Sequence, residues 1–310
     1  MLEPCLAARL AAKSQKSLKF SGLIQRLRPL AHKLTGRLPL CPWPSVLSTL
    51  NPRLLGVMPP ALDIQEITTD GAFKKLRFGG RHEAWFPANV AITPDMWGEY
   101  LCVFWDHPKN AHYYLRHTPV KTGDVCVDCG ACEGFFVFQA LEAGAAKVIC
   151  VEAGKAMAEC LARTFEKEIA AGRVVVKHAA LGALNGTTRF NFDSLNPFGG
   201  SVSMPSDQGD IVNVRTLERL LDELAVSRID FLKMDIEGAE IQAVEGALPV
   251  LRRDHPRLAI TTYHRQFDYQ SLRAMAIAAD YQRINPTGLV QRGNETYRPV
   301  MLHVWNEIKT

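Results

Sequence analysis

The sequence predicts an α/β fold in which a mostly parallel sheet is covered by helices on both faces. Two observations carry that prediction. From Asp124 onward, short apolar runs alternate with longer segments of helical period, the pattern of parallel strands joined by crossover helices. Near the end, two β segments follow one another with no helix between them, which makes one strand antiparallel to the rest.

The elements read in order. "DVCVD" is the first strand, and "EGFFVFQALEAG" is a helix closed by Gly144. "KVICVE" is the second strand, and "KAMAECLARTFEKEIAAG" reads as one long amphipathic helix ending at Gly172. "VVVKHAAL" is the third strand, followed by a polar, Gly-rich excursion over 185–210. Then come the helix "RTLERLLDELA", the strand "IDFLKMD", the helix "AEIQAVEGALPVLRR", the strand "RLAITTYH" and the helix "SLRAMAIAA". Two β segments near "YQRIN" and "RPVMLHVW" close the chain as a hairpin, with its antiparallel strand expected at the end of the sheet. Residues 61–120 give mixed signals, with β-like pieces around "KKLRFGG" and "EAWFPANVAI". The expected division is a basic, Pro-rich extension over 1–60, a lead-in segment over 61–120 and the main domain over 121–310.

Composition bounds the function. At 310 residues, 47% hydrophobic and 22% charged, the chain is that of an ordinary globular protein, and no apolar run is long enough to cross a membrane. Eight cysteines form no regular framework outside one stretch, so reduced thiols and a cytoplasmic location are expected. Charge is uneven. Residues 1–60 hold nine Lys/Arg against the single acid Glu3, while the other 250 hold 27 against 31 Asp/Glu. Within the arm, Phe20, Leu23, Ile24, Leu27, Leu30 and Leu34 recur at helical spacing among basic residues, and Pro29 should kink or divide that helix. Such a helix packs on its parent domain or rests on an anionic membrane surface, so peripheral membrane contact is one expectation for it. No nucleic-acid partner is expected.

The stretch "VCVDCGACEGFF" supports two chemistries. Cys126, Cys129 and Cys132 have the spacing with which ferredoxins begin to hold an iron–sulfur cluster. A fourth thiolate is missing, because Phe136 stands at its place, and Cys126 and Cys150 fall within strands, so the cysteines read as packing residues. The same letters also give D-x-G-x-x-x-G from Asp128 through Gly130 to Gly134, after an apolar strand and before a helix. The next strand ends in Glu152, where an acid can accept hydrogen bonds from the ribose hydroxyls of a nucleoside. The full G-x-G-x-x-G pattern is absent, with Cys132 and Phe135 at the later positions, so the turn suits a nucleoside without phosphates, such as S-adenosylmethionine. Further on, "IDFLKMDIEGAE" delivers Lys233, Asp235 and Glu237 to the ligand edge of the sheet. Capping of the next helix accounts for one of those acids but not for the whole cluster.

In this order, "VDCGACEGFF", "VICVEAG", "HAALGALNGTTRF", "GGSVS" and "IDFLKMDIEGAE" resemble the FkbM family of S-adenosylmethionine-dependent methyltransferases, over roughly 120–305. The resemblance implies the class I methyltransferase, Rossmann-like fold: a seven-stranded, mostly parallel sheet with one antiparallel strand, here with a basic helical N-terminal extension. It implies methyl transfer to a hydroxyl of a sugar, polyketide or other natural product, the acceptor being a small molecule or glycan. Cys132 stands where the family usually shows Asn, and Ala153 where Pro commonly follows the acid. "TTYHRQFD" is similar to a Tyr-His segment of many members and brings His264 to the same edge.

The resulting assignment gives S-adenosyl-L-methionine to Asp128, the turn Gly130, Ala131, Cys132, Glu133 and Gly134, and Glu152. Ala180 and Leu181 flank the adenine, and "NPFGGSVS" (196–203) forms a cover in which Ser201 or Ser203 can hydrogen-bond the cofactor. His264 is the expected general base, with Asp235 or Glu237 as orienting partner or substitute, a contribution of about 10²–10⁴ in rate. No metal ligands are assigned, although a metal held by Asp235 and Glu237 could activate the acceptor instead. Two other classes compete: an NAD-dependent oxidoreductase, which lacks its third glycine at Phe135, and a non-catalytic scaffold or iron–sulfur carrier.

Overall fold

The computed structural model of the chain describes residues 27–36, 38, 41, 43–48, 50, 58–193, 196–201, 209–292 and 296–307. Most of the basic arm, and with it the amphipathic stretch before Leu27, lies outside the described residues. Its later part rests on the main body, where Leu38, Cys41 and Val46 cluster with Leu289 and Tyr297. No helix among the described residues is long and apolar enough to cross a membrane.

Residues 61–120 form an antiparallel meander, β1 (Ile64–Asp70), β2 (Phe73–Phe78) and β3 (His82–Pro87), and then helix α1 (Pro94–Phe104). Pro94 starts that helix, and the Thr93 hydroxyl caps it by accepting from Met96 N–H. Leu76, Phe78, Ala84 and Phe86 of the meander share one apolar cluster with Cys126, Val148 and Phe231. The meander is therefore continuous with the main core.

The centre is a seven-stranded sheet. Its parallel strands are β4 (Val125–Cys129), β5 (Lys147–Glu152) and β6 (Val174–His178), then β11 (Phe231–Met234), β12 (Arg257–Thr261) and β13 (Arg283–Thr287). The crossover helices are α2 (Phe135–Glu142), α3 (Lys155–Thr164), α4 (Leu217–Glu223), α5 (Glu240–Asp254) and α6 (Asp268–Ala278). The spatial order is β13-β16-β12-β11-β4-β5-β6, where β16 (Met301–Trp305), after the small hairpin β14 (Val290–Arg292) and β15 (Thr296–Arg298), runs antiparallel to both neighbours. The antiparallel strand is thus second from the edge, not at the end. Its "MLHV" is buried throughout and needs pairing on both sides, whereas β13 is only partly buried and carries Pro286, which suits an edge.

Two further segments depart from the sequence reading. The long helix over 155–172 breaks at Phe165, whose ring is buried against Phe138 at 4.7 Å and over Gly134. The third strand ends at His178. Ala180–Leu181 then starts a second sheet, β7, whose other members are β8 (Gly186–Asp193), β9 (Asn196–Ser201) and β10 (Asp210–Arg215), in the order β7-β10-β8-β9. The 185–210 excursion is therefore β structure in its described part, and "GTTRFNFD" pairs through its backbone despite its polarity.

Alternation along each strand splits the core in two. Cys126 and Cys150 pack on one face with Phe136 and Val148, and Cys129 packs on the other with Val127 and Ile149. Side chains on opposite faces of a sheet cannot share a cluster, and none of the seven described cysteines is in a disulfide. Close packing also fixes a glycine. Gly246, inside α5, lies where an added Cβ would stand 2.0 Å from the Gly182 carbonyl oxygen. Glycine inside a helix ordinarily costs about 1 kcal/mol relative to alanine, so Gly→Ala there usually stabilises. Here the sign should reverse: Gly246→Ala is expected to lose ~1–3 kcal/mol in urea denaturation, as overpacked cores do. A gain in stability would show that α5 can move away at no cost.

Candidate active site

The strand ends at one edge of the sheet open into a cavity of about 1060 Å³, counting the part open to solvent. That is ample for a cofactor-sized molecule. Its floor begins with the turn after β4. Gly130 N–H donates to Val151 C=O, and a Cβ at Gly130, which has φ 74°, would lie 2.0 Å from the Asp235 carbonyl oxygen. The glycine is needed for contact between two loops. The same holds for Gly134, whose added Cβ would meet Phe165 at 2.5 Å.

Asp128 lies beneath this floor. It is fully buried and directly opposite Lys233 across β4 and β11, with Lys233 Nζ 2.9 Å from its Oδ1. Lys233 Nζ also donates to Gly130 C=O at 2.7 Å and stands over the Tyr114 ring. Burial alone would push the Lys233 ammonium down, but Asp128 and Asp235 outweigh it and hold it above its usual value. Asp128 thus holds the turn in place instead of forming a wall of the cavity.

Ala131, Cys132, Glu133 and Glu152 do line it. Glu152 accepts from the backbone N–H groups of Cys132 and Gly154 at 2.9 and 2.7 Å. Burial raises its carboxyl above the usual range, against the pull of those two donors. Glu133 is more strongly perturbed: burial takes it to about 7, although its own N–H and Lys233 act the other way. Its Oε1 is buried with no hydrogen-bond partner among the described residues. An open acceptor in the wall, beside a carboxylate with lone pairs to spare, fits a ligand bearing hydroxyl and amino donors. Ala153, Ala180, Leu181 and Phe190 supply an apolar wall nearby, suited to a flat heteroaromatic ring. Ser201 closes β9, and Ser203 falls outside the described residues.

Asp235 and Glu237 line the cavity from β11, and His264 stands behind them with a side chain only 4% exposed. Asp235 accepts from Tyr114 Oη at 2.8 Å and from Thr261 Oγ1 at 3.1 Å. Its burial is outweighed by His264 and Lys233, which keep the carboxyl below its usual range. Glu237 has φ 54°, an uncommon backbone for a residue other than glycine, of the kind that functional sites hold at a cost. Neither acid caps α5, whose first residue Glu240 instead accepts from Ile236 N–H.

His264 differs most from expectation. Its Nδ1 lies 2.8 Å from buried Glu240 Oε1, and its Nε2 lies 3.4 Å from Glu237 and 3.6 Å from Asp235. Burial would lower its pKa, but Glu240 and Glu237 raise it well above the usual histidine value. The ring thus stands behind the two acids as their partner, with Nε2 facing both. Sequence reading missed Tyr114 and Thr261, which no spacing connects to Asp235, and took Glu240 only as the start of a helix.

Comparison with known proteins follows this geometry. The family described as "Methyltransferase FkbM domain" matches residues 128–283. A search of curated proteins finds no match to the chain. Among solved structures, the chain is similar to the methyltransferase FkbM of Methylobacillus flagellatus KT, at 21% identity over 70% of this chain with a TM-score of 0.45. It spans only 56% of that protein. It also resembles an S-adenosylmethionine-dependent O-methyltransferase of Thermotoga maritima at 16% identity, covering 66% of this chain and 67% of that one with a TM-score of 0.37. A third is the precorrin-6y C5,15-methyltransferase of Geobacter metallireducens GS-15, at 10% identity over 64% and 88% of the two chains and a TM-score of 0.39. The sheet of seven strands with one antiparallel member is the one that the resemblance to the FkbM family implies. With the matched segment spanning half of the chain and containing the turn, Glu152, Asp235 and His264, this protein belongs to the FkbM methyltransferase family.

Proposed function

We propose that this protein transfers the methyl group of S-adenosylmethionine to a hydroxyl oxygen of a small molecule or glycan, such as a sugar or polyketide. The observation that carries the reading is one cavity with the acids of a nucleoside site, Glu133 and Glu152, on its β4–β5 side and the Asp235–Glu237 cluster on its β11 side. When bound, S-adenosylmethionine supplies an electrophilic methyl carbon, whose bond to sulfur breaks as the acceptor oxygen attacks and sulfur takes the electron pair. The chain's own work is placement and proton handling. Glu152 receives the ribose hydroxyls, and Glu133 offers its open oxygen to a cationic amino group. Asp235 and Glu237 hold the acceptor hydroxyl and draw off its proton, with His264 behind them as their partner and Asp235 fixed by Tyr114 and Thr261. Most of the rate should come from aligning acceptor oxygen, methyl carbon and sulfur.

A transfer assay with labelled S-adenosylmethionine and fractionated extracts tests the reading directly. Glu152→Gln should raise KM for the cofactor roughly 10–100-fold, the worth of a hydrogen bond to a charged group, with a smaller change in kcat. An unchanged KM would remove Glu152 from the cofactor site.

Glu133 gives a pH signature. Its folded pKa of about 7 lies above its ordinary value of 4.5, so the stability it lends is complete below about pH 4.5 and fades as pH rises to about 7. Relative to Glu133→Gln, the wild-type chain without ligand should lose up to ~3 kcal/mol between pH 5 and 8. S-adenosylmethionine binding should tighten over the same range, because the ionised carboxylate then meets a cation. Parallel stability curves for the two proteins would show that Glu133 is solvated in solution.

A further inference from the structure

We propose that Asp235, Glu237 and His264 form a binding site for one divalent cation, of the Mn²⁺ or Mg²⁺ class, at the cavity wall. The inference rests on the methyl-transfer reading only for what the ion does, not for its presence. The three side chains each offer one donor atom, and these atoms lie within 4.8 Å of one another. His264 Nε2 is 3.4 Å from Glu237 Oε2 and 3.6 Å from Asp235 Oδ1. An ion roughly 2.0–2.2 Å from adjacent ligands in octahedral geometry sets them about 3 Å apart, so the cluster needs to contract only slightly.

A second observation points the same way. His264 Nε2 is buried and faces the two carboxylates, which share it at 3.4 and 3.6 Å. Its other nitrogen is tied to Glu240, a carboxylate with no exposure that also accepts from Ile236 N–H and Thr261 Oγ1. A histidine whose far nitrogen is fixed by a carboxylate, with the near one turned to the other acids, has the outer-shell arrangement of a metal ligand. Asp235 is supported likewise by Tyr114 and Thr261. Asp235, Glu237 and Glu240 place three carboxylates around one imidazole, while the nearest lysine, Lys233, is already paired with Asp128. A doubly charged ion answers that excess.

Two carboxylates and one imidazole favour Mn²⁺ somewhat over Mg²⁺, since the nitrogen donor is the softer ligand. Asp235 and Glu237 line the cavity, so the remaining coordination positions face it. An acceptor hydroxyl bound there loses its proton to solvent water more readily, and its oxygen keeps the lone pair that forms the new bond to carbon. Glu240 is a positioning residue, since it acts through His264.

The test uses the full-length chain stripped with a chelator and titrated with MnCl₂, free Mn²⁺ being read by electron paramagnetic resonance. One ion should bind per chain at sub-millimolar concentration. Electron–nuclear double resonance should detect a directly bound ¹⁴N, and Glu237→Gln should weaken binding by at least about 10-fold. No binding at millimolar Mn²⁺, bound Mn²⁺ without nitrogen coupling, or unchanged affinity in a folded Glu237→Gln would each overturn the site. If Glu237→Gln fails to fold, the nitrogen coupling of the wild-type chain decides alone. Binding of S-adenosylhomocysteine, measured alongside, separates the two proposals: its binding without Mn²⁺ uptake overturns the ion site only. Mn²⁺ uptake without its binding keeps the ion site and overturns methyl transfer.

Discussion

The buried pair between Asp128 and Lys233 is the contact on which the candidate site depends. It joins the two central strands of the sheet at the point where both chains leave it for their loops. A charge at such a depth persists only with a partner and further hydrogen bonds, and Lys233 has both, in Asp128 and the Gly130 carbonyl. Breaking such a pair typically costs 3–5 kcal/mol, because the remaining charge is left uncompensated. Here the consequence extends beyond stability. The ammonium fixes the backbone of the floor on one side, and its Nζ lies 5.3 Å from the centre of the Tyr114 ring, whose hydroxyl donates to Asp235. The cofactor turn and the acceptor cluster are therefore built on one cation.

From that cation the division of labour in the cavity follows. Lys233 is close enough to lower the carboxyls of Glu133, Glu152 and Asp235, yet only Asp235 ends below its usual range. The difference lies in the other partners. Asp235 adds His264 and the Tyr114 hydroxyl, whereas Glu133 and Glu152 have mainly backbone donors to set against their burial. One edge of one sheet thus holds a firmly ionised acid and two acids that resist ionisation, a separation typical of sites where carboxylates have different tasks.

The sheet was legible because parallel strands buried on both faces must be nearly all apolar, and "VCVDC", "KVICVE" and "FLKM" show that at a glance. The second sheet was not. Its strand "GTTRFNFD" carries the polarity of a loop, and its Phe190 finds Val212 and Ala180 only across the second sheet, so periodicity has little to report. The site divides similarly. Glu152, Asp235 and Glu237 stand at strand ends, where chain direction alone takes them to the ligand edge. Tyr114 reaches Asp235 across 121 positions of sequence, and no local pattern records such a contact. The surroundings of His264 were hidden for a related reason: Glu240, 2.8 Å from its Nδ1, is brought behind the ring by the packing of α5 against the sheet. The glycines of "DCGACEG" were recognised for their spacing, while what they accommodate, the Asp235 carbonyl and the Phe165 ring, comes from distant segments.

The sign of the charges also limits where catalysis can come from. In the proposed reaction Glu133 and Glu152 would attract a sulfonium-bearing cofactor, but sulfur loses its positive charge as the methyl group leaves. Attraction between these acids and that charge is strongest before the reaction and weaker at the transition state, so on its own it slows the chemical step. These acids should therefore act on parts of the cofactor whose charge and hydrogen bonding stay constant, the ribose and the amino group. The acceptor side faces the opposite demand, since an oxygen gains negative character there as its proton departs. In the proposed reaction Asp235 and Glu237 take up that proton, and a cation beside them would ease its departure. His264 is the cation that the described residues place in contact with both. Either its own positive charge or that of an ion bound in place of its Nε2 proton meets the demand.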